Sequence, residues 1–175
     1  LGKIYLNGNE IKDNEDYLLS NAGYIPQDNL LVDDKIINNI AIGSETNDID
    51  YEKINKVINQ AQLNKFIDNL PDGLDTIVGD RGIRLSGGQI QRISIARALY
   101  FDTEILILDE ATSALDNDTE MEFINSVEAL KNKKTIIIVS HRKSIMKLCN
   151  KIFHLKDKFL SYEGNFLDFE NKNTI

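Results

Sequence analysis

Asp109 and Glu110 stand at the end of the apolar run Ile105-Leu106-Ile107-Leu108, so a buried strand would deliver two neighbouring carboxylates to its C-terminal end. A carboxylate pair in that place suits Mg2+, which takes oxygen ligands and keeps several waters. Asp109 would hold the ion, directly or through water, and Glu110 would orient and deprotonate an attacking water. Ser140-His141 closes a second apolar run, 136–139, where the imidazole could hydrogen-bond a phosphoryl group in transfer. Gln27 follows Gly23-Tyr24-Ile25 across Pro26, which stops ladder pairing and leaves Gln27 on a loop within reach of the metal or the water. By itself each has a plainer reading: a solvated turn pair, a capping or packed histidine, a surface glutamine. Their shared place at strand ends joins them, because an open parallel sheet binds its ligand outside the carboxyl ends of its strands.

A second constellation, Leu85-Ser86-Gly87-Gly88-Gln89, has the form of a helix start built to hold an anion. Ser86 is a good N-cap, and Gln89 three residues later completes a Ser-x-x-Gln capping box. Gly87 and Gly88 put no side chain over the first-turn amides, at the positive end of the helix dipole. An ordinary capped helix after a glycine turn has the same spacing. Ile90, Ile93, Ala96 and Leu99 recur at three- and four-residue steps and give this helix a packing face.

The elements that must position these groups alternate strand and helix. Residues 105–108 and 136–139 are short, β-branched-rich and apolar on both faces, the pattern of parallel strands enclosed by helices. The helix between them spans about 118–130, with Phe123, Ile124, Val127 and Leu130 inward. An α/β fold with a parallel sheet is therefore expected. Upstream, Lys3-Ile4-Tyr5-Leu6-Asn7 alternates like a strand and turns at Asn7-Gly8-Asn9, and 11–19 reads as a loop with a short helix. Residues 29–43 carry Ile36, Ile37, Ile40 and Ala41 at helical spacing and end at Gly43. Asp50 caps a helix with Ile54, Val57, Ile58 and Ala61 inward, and a shorter helix over 64–70 stops at Pro71-Asp72-Gly73. No strand is legible between 31 and 100. Residues 152–155 and 159–162 form a terminal hairpin, and the tail from Asn171 frays.

With 42% hydrophobic residues, a chain of 175 residues can build one globular domain with a real core. No stretch approaches the roughly 18–20 apolar residues of a membrane span, and no signal peptide is visible. A net charge of −8 argues against a generic nucleic-acid surface. Cys149, the only cysteine, reads as a structural thiol on a helix in a reducing compartment. Leu1 already lies in a strand-like segment, so the sequence reads as a piece of a longer polypeptide.

The ordered set Tyr24-Ile-Pro-Gln27-Asp28, Leu85-Ser-Gly-Gly-Gln89, Ile105-Leu-Ile-Leu-Asp-Glu110, Ser113-Ala-Leu-Asp116 and Ser140-His141 resembles the ATP-binding cassette family. Thr76-Ile-Val-Gly-Asp-Arg-Gly82 before the signature, and Gln27-Asp28-Asn-Leu followed by Ile40-Ala-Ile-Gly43, resemble its exporter type. The resemblance implies a P-loop NTPase (RecA-like) parallel sheet with a helical signature subdomain over about 28–103, and a core from 1–27 and 104–175. It implies ATP and Mg2+ as cofactors, and ATP hydrolysis driving transport. Gln27 resembles the glutamine that contacts Mg2+ and the attacking water, Asp109 the Walker B aspartate, Glu110 the catalytic glutamate and His141 the switch histidine. Leu85, Ser86, Gly87, Gly88 and Gln89 match the signature that binds the γ-phosphate of ATP held by the opposite subunit, with Asp116 closing across the dimer. Implied partners are a second nucleotide-binding domain, identical or different, and a transmembrane domain met by about 28–43. Nucleic acid is not among them. The implied location is the cytoplasmic face of the cell membrane.

One departure is large. No Gly-x-x-x-x-Gly-Lys-Ser/Thr occurs, the pattern whose backbone amides cradle phosphates and whose Lys binds their oxygens. The chain thus reads as a partial cassette without its N-terminal P-loop strand, expected by itself to bind Mg-ATP weakly or not at all and not to hydrolyse it. That strand would pair with 135–139, whose edge must then be filled by a neighbour, closed by rearrangement or supplied by residues outside this sequence. A solvated edge would count against this sheet. Ile77 stands where exporters carry Glu and Lys158 where a hairpin Gly is usual. Soluble cassette ATPases of ribosome-associated or DNA-repair type share the signature. The repair type inserts a long heptad coiled coil, and no heptads lie between Gln27 and Leu85.

Overall fold

Gly23 fixes how closely the sheet and the main helix approach. A Cβ at this position would come within 2.7 Å of the Cβ of Ala98 and 3.2 Å of Thr103 Oγ1, so only glycine lets the two backbones meet. The computed structural model describes residues 3–6, 8–11, 16, 20–79, 83–112 and 115–173. They divide into two units, Leu1–Val139 and Ser140–Ile175.

The first unit opens with a hairpin of β1 (Tyr5–Leu6) and β2 (Asn9–Glu10), turned at Gly8 with φ +84°. Most of the expected loop over 11–19 lies outside the described residues. Then come β3 (Ala22–Ile25), β4 (Asp34–Lys35), α1 (Ile36–Ile40), α2 (Tyr51–Gln60), α3 (Asn64–Asp68), β5 (Ile77–Val78), α4 (Gly87–Tyr100), β6 (Ile105–Asp109), α5 (Asn117–Leu130) and β7 (Thr135–Val139). The central sheet is parallel, in the order β3-β6-β7. Its register runs from Ala22↔Ile105 to Ile25↔Leu108 on one side of β6 and from Ile105↔Thr135 to Asp109↔Val139 on the other.

Two-residue pairing of β4 with β5, antiparallel through Asp34↔Val78 and Lys35↔Ile77, corrects the expectation of no strand between 31 and 100. Pieces this short have no periodicity of their own. The helix expected over 29–43 is confined to α1. The rest of that segment is held by the carboxamide of Asn39, which is fully buried. Its Oδ1 accepts from Val32 N at 2.9 Å, while its Nδ2 donates to the carbonyls of Val32 and Lys35 at 3.1 and 3.2 Å.

Helix α4 packs against β3, α1, α2 and α5. Enclosed on so many sides, it buries Gln91, Arg92 and Ser94 along with Ile93 and Ala96, where the spacing had given one packing face. Arg92 Nη1 pairs with Glu122 of α5 and Ser94 Oγ donates to Ile90 O at 3.1 Å, while Arg92 Nε and Gln91 Oε1 are buried without a hydrogen-bond partner. Phe123, Ile124, Val127 and Leu130 are buried along α5 as the spacing predicts.

The sheet itself departs from the enclosed pattern. Gly23, Ile25, Leu106 and Leu108 are buried on the face toward α4. On the opposite face Tyr24 is 57% exposed and Ile137 and Val139 are each 50% exposed. One face is thus packed against α4 and the other is more exposed. Among the described residues β7 pairs with β6 alone, so rearrangement within the chain does not close its outer edge. The edge is thus left to the other two expectations, a neighbouring molecule or residues outside this sequence, and the parallel sheet expected for the fold is present.

The second unit holds α6 (Lys143–Met146), the hairpin β8 (Ile152–Lys156) and β9 (Phe159–Gly164), and α7 (Phe166–Asn173). Where a frayed tail was expected from Asn171, the chain is helical to Asn173. Phe169 of α7 anchors it, stacking edge-on to His154 at 5.2 Å and tilted against Tyr162 at 5.3 Å. Cys149 lies past the end of α6 and not within a helix, its Sγ 3.7 Å from Ile145 O. Among the described residues no helix is long and apolar enough to cross a membrane.

Candidate functional site

Parallel pairing of β3 with β6 brings two of the predicted groups to one edge. The ladder ends at Ile25↔Leu108, so Pro26-Gln27 and Asp109-Glu110 leave the sheet side by side at its carboxyl end. Gln27 is exposed there, and Asp109 and Glu110 are half-buried. Asp109 is still in the ladder, opposite Val139. At Glu110 the backbone turns left-handed, φ +46°, while its N–H donates to Val139 O at 2.9 Å. A non-glycine residue holds that conformation only where its surroundings fix it, and such places gather at functional sites. Ala111 and Thr112, only 4% and 2% exposed, anchor the chain immediately beyond.

Asp109 has a partner that the motif spacing does not point to. The Tyr24 hydroxyl donates to Asp109 Oδ2 at 2.8 Å, across two strands and 85 residues of sequence. The negative charge beside it raises the pKa of the Tyr24 phenol, chiefly through that hydrogen bond. Tyr24 is the contact at this edge that the sequence reading missed. The available signal was its strand parity, which sets it on the same sheet face as Asp109.

Fewer than three His, Cys, Asp or Glu converge anywhere among the described residues as a metal cluster. A nucleotide-borne Mg2+ needs no such cluster, since it takes one or two protein carboxylates and fills its shell with waters and phosphate oxygens. One Asp109 carboxylate oxygen and the Gln27 carboxamide, both at this edge, match that chemistry.

The helix start is a capping box. Ser86 Oγ accepts from Gln89 N at 3.3 Å and Gln89 Oε1 accepts from Ser86 N at 2.8 Å. Leu85 is half-buried, Ser86 and Gly87 are exposed, and Gly88 is buried. Packing explains the second glycine: a Cβ there would stand 2.9 Å from Thr119 Cβ of α5. Gly88→Ala is expected to destabilise the protein by about 1–2 kcal/mol, overpacking outweighing alanine's better helix propensity. A lower Tm in thermal unfolding would register it, and a raised Tm would show that the contact yields freely.

Thr119 also ties this helix to Asp116. Asp116 caps α5, its Oδ1 accepting from Thr119 N at 3.0 Å and Asp118 N at 3.1 Å. The backbone hydrogen bond from Thr119, foremost, holds its carboxyl below the usual aspartate range. The cap therefore stands in full above that range and is lost as pH falls through the lowered pKa. Ser113 and Ala114 of the same motif lie outside the described residues, as do Asp80, Arg81 and Gly82 of the stretch before the signature. His141 is exposed, the second residue of the second unit. The first unit thus assembles Gln27, Asp109 and Glu110 at one edge and joins Gly88 to Asp116 through Thr119.

The ABC transporter family profile matches residues 1–113. The chain is 41% identical over 89% of its length to the ATP-dependent lipid A-core flippase of Ralstonia nicotianae, and 43% identical over 97% to that of Idiomarina loihiensis. It is 40% identical over 96% to ABC transporter B family member 6 of Dictyostelium discoideum. These alignments span 26%, 31% and 25% of the relatives' own lengths. A solved structure of a bacterial Atm1-family ABC exporter with ATP bound superposes on the whole chain with a TM-score of 0.84 at 35% identity, the chain covering 30% of that protein. With a parallel α/β sheet of P-loop NTPase type, and a capped signature helix and strand-end carboxylates in the family's order, the chain belongs to the ABC transporter family.

Proposed function

We infer that this chain is the larger part of the ATP-hydrolysing motor of a membrane exporter, working on the cytoplasmic face of the membrane. The observation that carries the reading is the common exit of Gln27 and Asp109-Glu110 from paired parallel strands, on the same unit as the capped signature helix. Asp109 and Gln27 would hold the Mg2+ that accompanies ATP, and the ion would supply charge stabilisation at the transferring phosphate. Glu110 orients the attacking water and takes its proton, and His141 hydrogen-bonds the γ-phosphate. Leu85, Ser86, Gly87, Gly88 and Gln89, with Asp116, serve the nucleotide held by a second cassette, identical or different. In this division 28–103 forms the helical subdomain, and 1–27 with 104–175 the core.

A transmembrane domain would meet residues 28–43. Exposed apolar side chains there support this: Leu30 is 82% exposed, with Val32 and Ile42 exposed beside it. Surfaces of that kind mark contact with a partner. The lipid A-core flippases among the relatives suggest an amphipathic lipid-like cargo for the whole protein.

The test compares the chain alone with the intact protein. Because no phosphate-cradling Gly-x-x-x-x-Gly-Lys-Ser/Thr is present in 1–175, calorimetric titration of that chain with Mg-ATP should show no micromolar binding and no turnover. The intact protein should hydrolyse Mg-ATP in lipid. Micromolar affinity of 1–175 alone would overturn the divided pocket, and an inert intact protein would overturn the motor.

A further inference from the structure

Asp109 is a carboxylate at the rim of a sheet face that is otherwise largely apolar. Strand parity sets Tyr24, Ile105, Ile107, Asp109, Thr135, Ile137 and Val139 on that face, and Tyr24 is the one polar neighbour seen in contact with Asp109. A carboxylate so placed is free to rotate about its last bond unless something holds one oxygen. Tyr24 does, its hydroxyl 2.8 Å from Oδ2.

The tyrosine is not there for core packing. Its neighbours in β3, Gly23 and Ile25, are the ones buried toward α4, whereas the Tyr24 ring is more than half exposed. What fixes the ring is therefore its strand position and the hydrogen bond. With β3 and β6 locked in register by Tyr24↔Ile107, the phenol reaches diagonally to the residue two places on, a span that aromatic side chains cover between neighbouring strands. Engaging Oδ2 leaves Oδ1 with no hydrogen-bond partner among the described residues. A donor from behind also withdraws charge from one oxygen and sets the plane of the carboxylate. Partners of this kind orient metal-binding side chains and typically govern affinity by roughly ten- to a hundredfold.

The geometry points to Tyr24 as a positioning residue for Asp109, taking Oδ2 so that Oδ1 is presented to the divalent cation of the bound nucleotide. This rests on the reading of Asp109 as a metal-holding residue. Tyr24→Phe keeps the ring and its exposure and removes only the donor. The arrangement works without Tyr24 touching nucleotide, water or metal, so the cation's affinity is the quantity it controls.

The experiment uses the intact protein with a non-hydrolysable ATP analogue and Mn2+ as the probe, free Mn2+ being read by electron paramagnetic resonance. Wild type, Tyr24→Phe and Asp109→Asn are compared, together with Tm and with binding of the analogue in the absence of divalent ions. Tyr24→Phe is expected to weaken Mn2+ about tenfold, with Tm and metal-free analogue binding unchanged. Asp109→Asn should weaken Mn2+ at least as much. Mn2+ affinity within twofold of wild type in Tyr24→Phe, alongside a loss in Asp109→Asn, would overturn the role of Tyr24 alone. Unchanged Mn2+ affinity in both variants would overturn the metal-holding role of Asp109, and the tyrosine's role with it. A lowered Tm or weakened metal-free binding in Tyr24→Phe would show that the phenol supports the fold, again overturning the proposal.

Discussion

On the proposed function, Glu110→Gln in the intact protein is expected to lower ATP turnover by about a hundredfold or more, the usual yield of a positioned general base. Nucleotide affinity should be unchanged. The backbone at Glu110 is pinned independently of its side chain, by the N–H to Val139 O at 2.9 Å and by buried Ala111 and Thr112 behind it. Gln keeps the side chain's size and one oxygen, and loses the negative charge and with it the ability to take a proton. Fold and binding should survive and chemistry should not. Steady-state ATPase with a parallel nucleotide titration separates the two, and wild-type turnover in this variant would remove Glu110 from its role.

Asn39→Ala should have the largest effect on stability. Fully buried, the carboxamide accepts from Val32 N and donates to the carbonyls of Val32 and Lys35, and the backbone carbonyl of Asn39 accepts from Arg97 Nε at 2.8 Å. Truncation leaves the Val32 N–H and two carbonyls without their partner. At roughly 1–3 kcal/mol for a stranded buried group, with partial relaxation, the loss is about 2–4 kcal/mol. Thermal unfolding should show Tm lowered by roughly 4–8 °C or more, taking about 2–4 °C per kcal/mol for a domain of this size. A shift below about 2 °C would show that the segment around Val32 is held by something else.

These two positions differ in how far the local sequence reveals them. Glu110 follows an apolar run, and Asp50 and the capping box of Ser86 and Gln89 announce two helix starts by local chemistry alone; both form the hydrogen bonds their types call for. Asn39 gives no such sign. A polar residue among isoleucines reads as the solvent side of a short helix, and its burial depends on Arg97, 58 residues away. Tyr24 and Asp109 meet across 85 residues, a distance only the sheet register can bridge. β4 and β5 escape notice for the same reason, since two residues carry no period. Gly88 looked like room left for a ligand and turns out to be also the room Thr119 needs. The open face of β6 and β7 was read as enclosed because an isoleucine-rich strand looks the same whether its second cover is present or not.

The close contact between Gly23 and Ala98 has a mechanical meaning. Two backbones that nearly touch cannot slide past one another, but one can still swing about the point where they meet. Ala98 lies near the far end of α4, about 18 Å from Ser86 at 1.5 Å per residue, so a tilt of only about 10° about this fulcrum would carry the capped end through roughly 3 Å. Lever motion of that size would reposition the capped helix start while leaving the sheet still.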